Sequence, residues 1–353
     1  MPPPTDNYSE DSSDGYSDDD FESEHGGSPA KEGVMGGEGK EEEEEKGEIG
    51  GHRGEEEKGG GEMEGGGWLS IDFEEDITLL DQIGGGGVGL IYNGIWKDKK
   101  VALKTLFDPK VDEDLKQEFM DELQIMSRVT HPNIVTFYGA AMKPPSLCFV
   151  MELCKCSLFD LLHNSRTDAF TTYERIDFCH QIALGMDYLH NTVTPSIIHR
   201  DIKSHNILVD DNNNLKLCDF GLVRTLHTTA GTPNYMAPEL LRNSTFSKAV
   251  DTYAFALVMW EIFTQELPFR GYDVEDIKIN VINGERPEIP TLDVPQECQD
   301  IMRRGWSSRV DDRPDFSEIV ETLKGVLDRT PKLSELQKLE GMGNNFDALA
   351  EFM

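Results

Sequence analysis

Residues 199–221 read HRDIKSHNILVDDNNNLKLCDFG, and this stretch decides the fold. Within 23 residues it brings together two aspartates, Asp201 and Asp219, an amide, Asn206, and a lysine, Lys203. Carboxylate and amide oxygens are the ligands that hard cations prefer, and a lysine beside them can neutralise an anion. The stretch therefore combines possible metal ligands with a positive charge. The neighbouring segments of the chain indicate which reaction these groups would serve.

Upstream, residues 83–91 read IGGGGVGLI, a glycine-rich segment of the type that binds nucleotide phosphates. Whether a helix or a strand follows the glycines indicates which type of nucleotide site it forms. The pattern G-x-G-x-x-G-x-(Val/Ile) is satisfied by Gly84, Gly86, Gly89 and Ile91. A dinucleotide-binding unit requires a helix next, whereas residues 90–96, LIYNGIW, are β-branched and aromatic and predict a strand. On this segment alone, a Gly-rich hairpin without any ligand is the alternative.

A lysine and a glutamate form a candidate ion pair in the same part of the chain. Val101-Ala102-Leu103-Lys104 predicts a strand, and residues 112–128 predict a helix with Leu115, Phe119, Glu122 and Met126 on one face. Glu122 then points inward, where an unpaired carboxylate is costly. An ion pair between Lys104 and Glu122 removes that cost.

Taken together with Ala237-Pro238-Glu239, these segments resemble those of protein kinases. Residues 199–206 are similar to the kinase catalytic loop, and Asp219-Phe220-Gly221 is similar to the kinase metal-binding motif. The resemblance covers residues 76–326 and implies an α+β fold of two lobes. The N-lobe is expected to be small and β-rich with one regulatory helix, and the C-lobe larger and α-helical. The sequence pattern predicts a further strand at 134–140 and helices at 173–190 and 251–264, the last nearly all apolar and therefore in the core.

The resemblance implies transfer of the γ-phosphate of ATP to a protein hydroxyl, a reaction catalysed mainly by positioning and charge neutralisation. It assigns Asp201 to the proton of the attacking hydroxyl, Lys203 to the moving phosphate and Lys104, paired with Glu122, to the α and β phosphates. Asn206 and Asp219 would hold Mg²⁺, with Mn²⁺ as an alternative.

The expected ATP pocket is an apolar cleft between the lobes. Met151 would be its gatekeeper, the backbone of Glu152 and Cys154 would bind adenine, and Leu208 would form the floor. The other predicted nucleotide-binding residues are Ile83, Gly84, Gly86, Gly89, Ile91, Ala102 and Lys104.

Composition divides the chain into three predicted parts. Residues 1–67 hold 22 acidic and 5 basic residues, a net charge of −17, and predict a disordered acidic Gly/Glu-rich tail. Residues 68–328 are the predicted kinase domain, with the N-lobe to about residue 151, the hinge at 152–156 and the C-lobe at 157–328. Residues 329–353 are a short C-terminal extension.

The net charge and the cysteine content limit the classes of partner and the cellular compartment that we expect. A net charge of −34 disfavours binding to nucleic acid or anionic membranes, and no segment approaches the roughly 20 apolar residues of a membrane span. The six cysteines include no CxxC unit and are expected to be reduced. We expect a cytoplasmic protein, with a nuclear location also compatible.

The finer resemblance concerns the kind of kinase. Lys203 and residues 231–236, GTPNYM, are similar to those of serine/threonine kinases. Residues 199–210, the hinge sequence MELC at 151–154 and residues 304–323 resemble the tyrosine-kinase-like group, which includes Raf and the mixed-lineage kinases. This implies intracellular signalling and protein substrates, other kinases among them. Ala256 departs from the family, which often has glycine there.

Two other functions share features with this sequence. A nucleotide-binding, pseudokinase-like scaffold is favoured by the glycines of residues 84–87, whose backbone entropy should leave the phosphate loop mobile. Against it, such scaffolds usually lack one of Lys104, Asp201, Asn206 and Asp219, and all four are present. A small-molecule kinase is disfavoured because residues 231–239 resemble a peptide-substrate platform.

The segment between Asp219 and Glu239 predicts regulation by phosphorylation, by an upstream kinase or by autophosphorylation. It contains Thr225, Thr228 and Thr229, and Arg200 offers a cationic partner for a phosphate there. We expect the Thr228→Ala/Thr229→Ala double variant to lose most kinase activity, measured as phosphate incorporation into a protein substrate. Activity equal to that of the unaltered chain would show that these are ordinary solvated loop residues.

Overall fold

The computed structural model describes residues 68–86, 89–106, 113–143, 147–164, 170–220 and 232–332. All of them belong to the unit Glu57–Met353. The predicted acidic tail, the threonines at 225, 228 and 229, and residues 333–353 of the predicted extension lie outside the described residues. Among the described residues, no helix has both the length and the apolar character needed to cross a membrane.

The first part of the fold is an antiparallel sheet with the strand order β1-β2-β3-β5-β4. Its strands are β1 (Ile77–Gly86), β2 (Gly89–Trp96), β3 (Lys99–Leu106), β4 (Phe137–Ala141) and β5 (Leu147–Glu152). A short helix, α1 (Phe73–Asp76), precedes the sheet, and α2 (Glu113–Met126) joins β3 to β4. The predicted strand beginning at Ile134 starts three residues later, because Ile134 forms a parallel bridge with Leu217 instead.

The two faces of this sheet pack differently. Val101 and Leu103 of β3 are fully buried in one cluster with Val150 of β5. Because side chains alternate along a strand, Ala102 and Lys104 point to the opposite face. On α2, Phe119 stacks on Phe149 of β5 with ring centroids 4.0 Å apart. The predicted inward direction is confirmed for Phe119, Glu122 and Met126, which are buried, and it brings Glu122 toward the sheet. The side chain of Leu115, the fourth residue of the predicted face, lies outside the described residues.

Residues just before α1 extend the sheet at its β4 edge. Ser70 forms a parallel bridge with Ala140, and the Ile71 amide donates to the Ala140 carbonyl at 3.0 Å. Gly139 permits this approach, since a Cβ there would lie 2.4 Å from the Leu69 carbonyl oxygen. Trp68, buried at 8% exposure, packs in the same cluster as Phe119 of α2.

The second part is mostly helical. Its helices are α3 (Leu158–His163), α4 (Thr172–Asp187), α5 (Pro238–Leu241), α6 (Ala249–Thr264), α7 (Val274–Asn283), α8 (Gln296–Gly305) and α9 (Phe316–Leu327). A small sheet contains β6 (Cys156–Ser157), β7 (Ile207–Val209) and β8 (Leu215–Leu217). The predicted helix 173–190 is interrupted, because α4 ends at Asp187 and a π turn, Tyr188–Thr192, follows. The α+β architecture of a β-rich and a helical lobe is confirmed.

The predicted hinge, residues 152–156, overlaps the ends of two strands. Glu152 belongs to β5, where its amide donates to the Thr136 carbonyl at 2.8 Å, and Cys156 belongs to β6. These backbone hydrogen bonds leave residues 153–155 as the connection between the lobes.

Helix α6 is the centre of the helical lobe, since every residue from Val250 to Phe263 is buried. This confirms that the apolar run 251–264 is a core helix. Its Ala256 contacts α8 closely, because a Cβ at Gly305 would lie 2.8 Å from the Ala256 Cβ. Gly305 therefore accommodates the alanine that departs from the family pattern.

We expect Gly305→Ala to lower the free energy of unfolding by about 1–3 kcal/mol through overpacking. Adding Ala256→Gly should recover most of that loss, as measured by urea unfolding. Gly325→Ala is the matched control, since its Cβ would meet only the Arg329 guanidinium at 3.7 Å and alanine favours a helix. Equal destabilisation at both glycines would contradict the close contact.

Candidate active site

Lys104 of β3 lies at the centre of a buried charge cluster. Its Nζ is 2.7 Å from Glu122 Oε1 and 3.0 Å from Oε2, and 3.3 Å from Asp219 Oδ1. Burial alone would lower the pKa of the Lys104 ammonium, but the charges of Glu122 and Asp219 outweigh it and hold that pKa above its ordinary value. The predicted Lys104–Glu122 pair is confirmed, and Asp219 connects it to the helical lobe.

The loop between His199 and Asn206 holds a second cluster around Asp201. Lys203 Nζ and Asn206 Nδ2 each donate to Asp201 Oδ2 at 2.7 Å. Asn206 Nδ2 also donates to the Asp201 carbonyl at 2.9 Å. The structure thus brings together three of the predicted residues through direct hydrogen bonds.

Asp251, at the start of α6, fixes the first part of this loop. Its carboxylate is fully buried and accepts hydrogen bonds from the amides of His199 at 2.8 Å and Arg200 at 2.7 Å. His190 donates to it from Nε2, also at 2.8 Å. Arg200 adopts a left-handed backbone with φ of 69°, which is uncommon for a residue with a side chain. The amide hydrogen bonds to Asp251 stabilise that conformation.

Asn206 and Asp219 offer oxygen atoms suited to a divalent cation. Both amide hydrogens of Asn206 Nδ2 are taken by Asp201, so the amide oxygen Oδ1 is the atom directed elsewhere. The Asp219 side chain is 47% exposed. Magnesium is commonly held by one or two such oxygens together with substrate phosphates. The donor set fits the predicted ion.

The strand register places the predicted nucleotide-binding residues in rows. Gly84, Ile91 and Lys104 are opposite one another across β1, β2 and β3, and Ala102 is opposite Met151 of β5. Ile83 is 49% exposed beside this row. Leu208 lies in β7, and Gly86 pairs with Gly89 at the tip of the hairpin. Gly87 and Val88, in the middle of the phosphate loop, lie outside the described residues.

This set of segments matches a known family over most of the described chain. The model of the protein tyrosine and serine/threonine kinase family matches residues 77–323. The chain belongs to this family. Family membership implies the use of ATP and a divalent metal ion.

Several curated kinases are similar over the same region. The putative serine/threonine-protein kinase/receptor R826 of Acanthamoeba polyphaga mimivirus is 37% identical over 262 residues, which is 72% of this chain and 16% of that protein. The serine/threonine-protein kinase CTR1 of Arabidopsis thaliana is 36% identical over 262 residues, 71% of this chain and 32% of that protein. The dual specificity protein kinase shkD of Dictyostelium discoideum is 35% identical over 263 residues, 72% and 35% respectively.

This chain therefore spans only a minor part, between 16% and 35%, of the length of these three relatives. The predicted membership of the tyrosine-kinase-like group is confirmed by the similarity to CTR1, to shkD and to the probable serine/threonine-protein kinase SIS8 of Arabidopsis thaliana.

The end of β5, next to the hinge, is connected to the helical lobe by an ion pair that the sequence did not indicate. Lys216 of β8 lies 3.0 Å from the Glu152 carboxylate, which also accepts from the Thr136 hydroxyl at 2.8 Å. Burial opposes ionisation of Glu152, but these hydrogen bonds outweigh it and lower its pKa. The Glu152 carboxylate is therefore engaged in contacts with Lys216 and Thr136.

The cysteines of the cleft are poor nucleophiles. Burial raises the pKa of Cys154 to about 12, and burial beside Asp219 raises the pKa of Cys218 well above its ordinary value. The Cys218 thiol also donates to the Asn206 carbonyl at 3.4 Å. Since the thiolate is the reactive form, an inert thiol at Cys218 is the interpretation that these contacts favour.

Sequence reasoning missed Glu261 of α6. Its fully buried carboxylate accepts hydrogen bonds from Ser204, His163 and Tyr235. Glu261 is the one acid of the apolar run 251–264 other than Asp251 at its start, and this was the available signal, because an unpaired carboxylate there would be costly.

We expect Glu122→Gln to release α2 and to destabilise the sheet lobe by about 3 kcal/mol, because it leaves the buried Lys104 with a single charged partner, Asp219, at 3.3 Å. Hydrogen exchange of residues 116–126 should accelerate and kinase activity should fall about tenfold or more. Glu318→Gln is the matched control, since its pair with Arg304 is half exposed and should contribute little. Unchanged exchange in α2 would contradict this account.

Proposed function

We propose that this chain is a serine/threonine protein kinase that transfers the γ-phosphate of ATP to protein hydroxyls. The observation that carries the proposal is the pairing of two charge clusters, Lys104–Glu122–Asp219 and Lys203–Asp201–Asn206. One cluster provides a cation where phosphates would lie, and the other provides a carboxylate for the attacking hydroxyl. The names of the similar kinases, most of them serine/threonine enzymes, support the specificity.

The roles of the site residues follow from their contacts. Within the described part of the chain, Asp201 accepts two side-chain hydrogen bonds, both at Oδ2, so Oδ1 would orient or accept the proton of the substrate hydroxyl. Lys203, held 2.7 Å from Asp201, is placed to neutralise the phosphate as it moves. Lys104 would bind the α and β phosphates. A divalent ion held by Asn206 and Asp219 would neutralise developing phosphate charge.

The nucleotide pocket is proposed as the sequence predicted it, with one refinement. The Glu152 amide is occupied by the Thr136 carbonyl, so the adenine contacts would be made by the Glu152 carbonyl and the Cys154 amide. Met151 would be the gatekeeper and Leu208 the floor, with Ile83, Ile91 and Ala102 as apolar walls. Gly84, Gly86 and Gly89 would let the backbone approach the phosphates.

The finer points extend the same proposal. Residues 68–328 would form the kinase domain, with 1–67 as an acidic tail and 329–353 as an extension. Mg²⁺ is the proposed metal ion and Mn²⁺ the alternative. Substrates would be signalling proteins, other kinases among them, met in the cytoplasm. The presence of all four groups, Lys104, Asp201, Asn206 and Asp219, opposes the alternative of a catalytically silent scaffold.

The deciding experiment is incorporation of labelled phosphate from ATP into myelin basic protein, with phosphoamino-acid analysis and with Mg²⁺ or Mn²⁺ compared. Asp219→Asn should reduce incorporation about 100-fold or more, since it removes a preorganised charge next to the phosphates. The exposed Asp311→Asn, which retains every site contact, is the matched control. We expect phosphoserine and phosphothreonine as products.

Two results would refute parts of the proposal. Phosphotyrosine as the main product would overturn the specificity. Nucleotide binding without any transfer, even after treatment with activating kinases, would favour the scaffold.

A further inference from the structure

Strand β8 pairs with β7 along one edge, and side-chain amides complete its other edge. There the Leu217 amide donates to the Asn133 carbonyl at 2.9 Å, and the Leu217 carbonyl accepts from the Val135 amide at 2.9 Å. Two residues earlier on the same edge, the Leu215 amide donates to Gln181 Oε1 at 2.8 Å, and the Leu215 carbonyl accepts from Asn133 Nδ2 at 3.0 Å. Every residue of β8 is buried, so these backbone groups would be costly to leave without partners.

The Gln181 side chain is itself held in place on α4. Its Nε2 donates to Asp177 Oδ2 at 2.7 Å, one turn earlier, and its Oε1 also accepts from Asn133 Nδ2 at 3.3 Å. Gly185, one turn later on the same face, lets the helix approach β8. A Cβ there would lie 2.8 Å from Leu217 Cδ1 and 3.0 Å from the Asn133 carbonyl oxygen. Helix α4 therefore holds β8 through both a polar and a packing contact.

Strand β8 leads directly into the proposed metal site. Asp219 lies two residues after Leu217 and has a left-handed backbone with φ of 64°, which is uncommon for a residue with a side chain. Between them, the Cys218 amide donates to the Asn206 carbonyl at 3.0 Å, and the Cys218 carbonyl accepts from His199 Nε2 at 3.1 Å. A backbone in this region persists only where its neighbours are held, and β8 is the neighbour on the N-terminal side.

We propose that Gln181 is a positioning residue for the metal site, because it holds the strand that sets Asp219 against Asn206. Loss of its acceptor oxygen leaves the Leu215 amide without that partner, loosens β8 and lets Asp219 relax from its left-handed conformation. A divalent ion then binds more weakly, since metal affinity depends on the groups that orient the ligands. Binding of the protein substrate is unaffected. This inference rests on the proposed kinase function and its Asn206–Asp219 site.

The test uses the full chain and compares Gln181→Met with Gln299→Met. Methionine is similar in length and has no oxygen for the Leu215 amide. Gln299 of α8 is the matched control, because it is buried and its side-chain amide binds the Val294 carbonyl, five residues earlier in the chain. We expect Gln181→Met to raise the Mg²⁺ concentration for half-maximal phosphate transfer about tenfold. The KM for myelin basic protein should stay within about twofold, and Gln299→Met should change neither.

A double variant separates positioning from general destabilisation. Gln181→Glu/Asp177→Asn reverses the hydrogen bond between these two side chains and keeps an oxygen for the Leu215 amide. It should return the Mg²⁺ dependence to within about twofold of the unaltered chain. A double variant as impaired as Gln181→Met would contradict the role of this oxygen.

A second measurement needs no turnover. Electron paramagnetic resonance follows Mn²⁺ binding to the chain in the presence of a non-hydrolysable ATP analogue. Gln181→Met should weaken this binding about tenfold and accelerate hydrogen exchange in residues 215–217. Faster exchange with unchanged Mn²⁺ binding would overturn the positioning role, as would an unaltered chain that binds no Mn²⁺. An unaltered chain that binds Mn²⁺ and nucleotide without phosphate transfer would refute the kinase function alone, and the Mn²⁺ affinities would still decide the role of Gln181.

Discussion

The buried carboxylate of Asp251 is the interaction on which the active site depends. Catalysis by positioning requires a loop that does not relax, and the loop here includes Arg200 in a left-handed conformation that its side chain disfavours. Two backbone amides and His190 are bound to this one carboxylate. The hydrogen bonds offset the cost of burying a charge, and the fully buried helix α6 prevents the carboxylate from moving. The hydrogen bonds to Asp251 thereby set the position of the loop that carries Asp201, Lys203 and Asn206.

The second requirement is that the two lobes present their charges to one another. Neither the apolar packing of α2 nor its ion pair is sufficient alone: Phe119 on Phe149 fixes where the helix lies, and Glu122 bound to Lys104 fixes its rotation. Asp219 adds a contact of 3.3 Å from the other lobe. Since burial disfavours the charges of Lys104 and Glu122 separately, these two groups stabilise one another, and the more exposed Asp219 adds to the stabilisation of the lysine. The geometry of the phosphate-binding side is therefore cooperative.

The sequence predicted those parts of the fold whose signals are local or belong to ordered motifs. Periodicity placed α2 with its inward face, and the apolar run 251–264 marked a core helix. The features that the sequence did not predict depend on contacts between residues far apart in the chain. Nothing local reveals that Gly305 makes room for Ala256, or that Lys216 binds Glu152. The overlap of the predicted hinge with β5 and β6 was not visible, because the backbone hydrogen bonds of Glu152 to Thr136 and of β6 to β7 cannot be read from composition. Glu261 was missed although an acid inside an apolar helix was visible, because its three donors come from separate segments.

The addition of residues 69–71 beside β4 also affects how the protein behaves at high concentration. A sheet has two outer strands, and an uncovered one is a template for pairing with another chain. Here the β4 side is occupied by the chain's own backbone, which Gly139 admits. The remaining outer strand, β1, has irregular register between Leu79 and Gln82 and again between Gln82 and Gly84. Such irregularities bend a strand and interrupt its hydrogen-bonding row. With Leu79 and Leu80 exposed on β1, these two features protect the lobe against edge-to-edge aggregation.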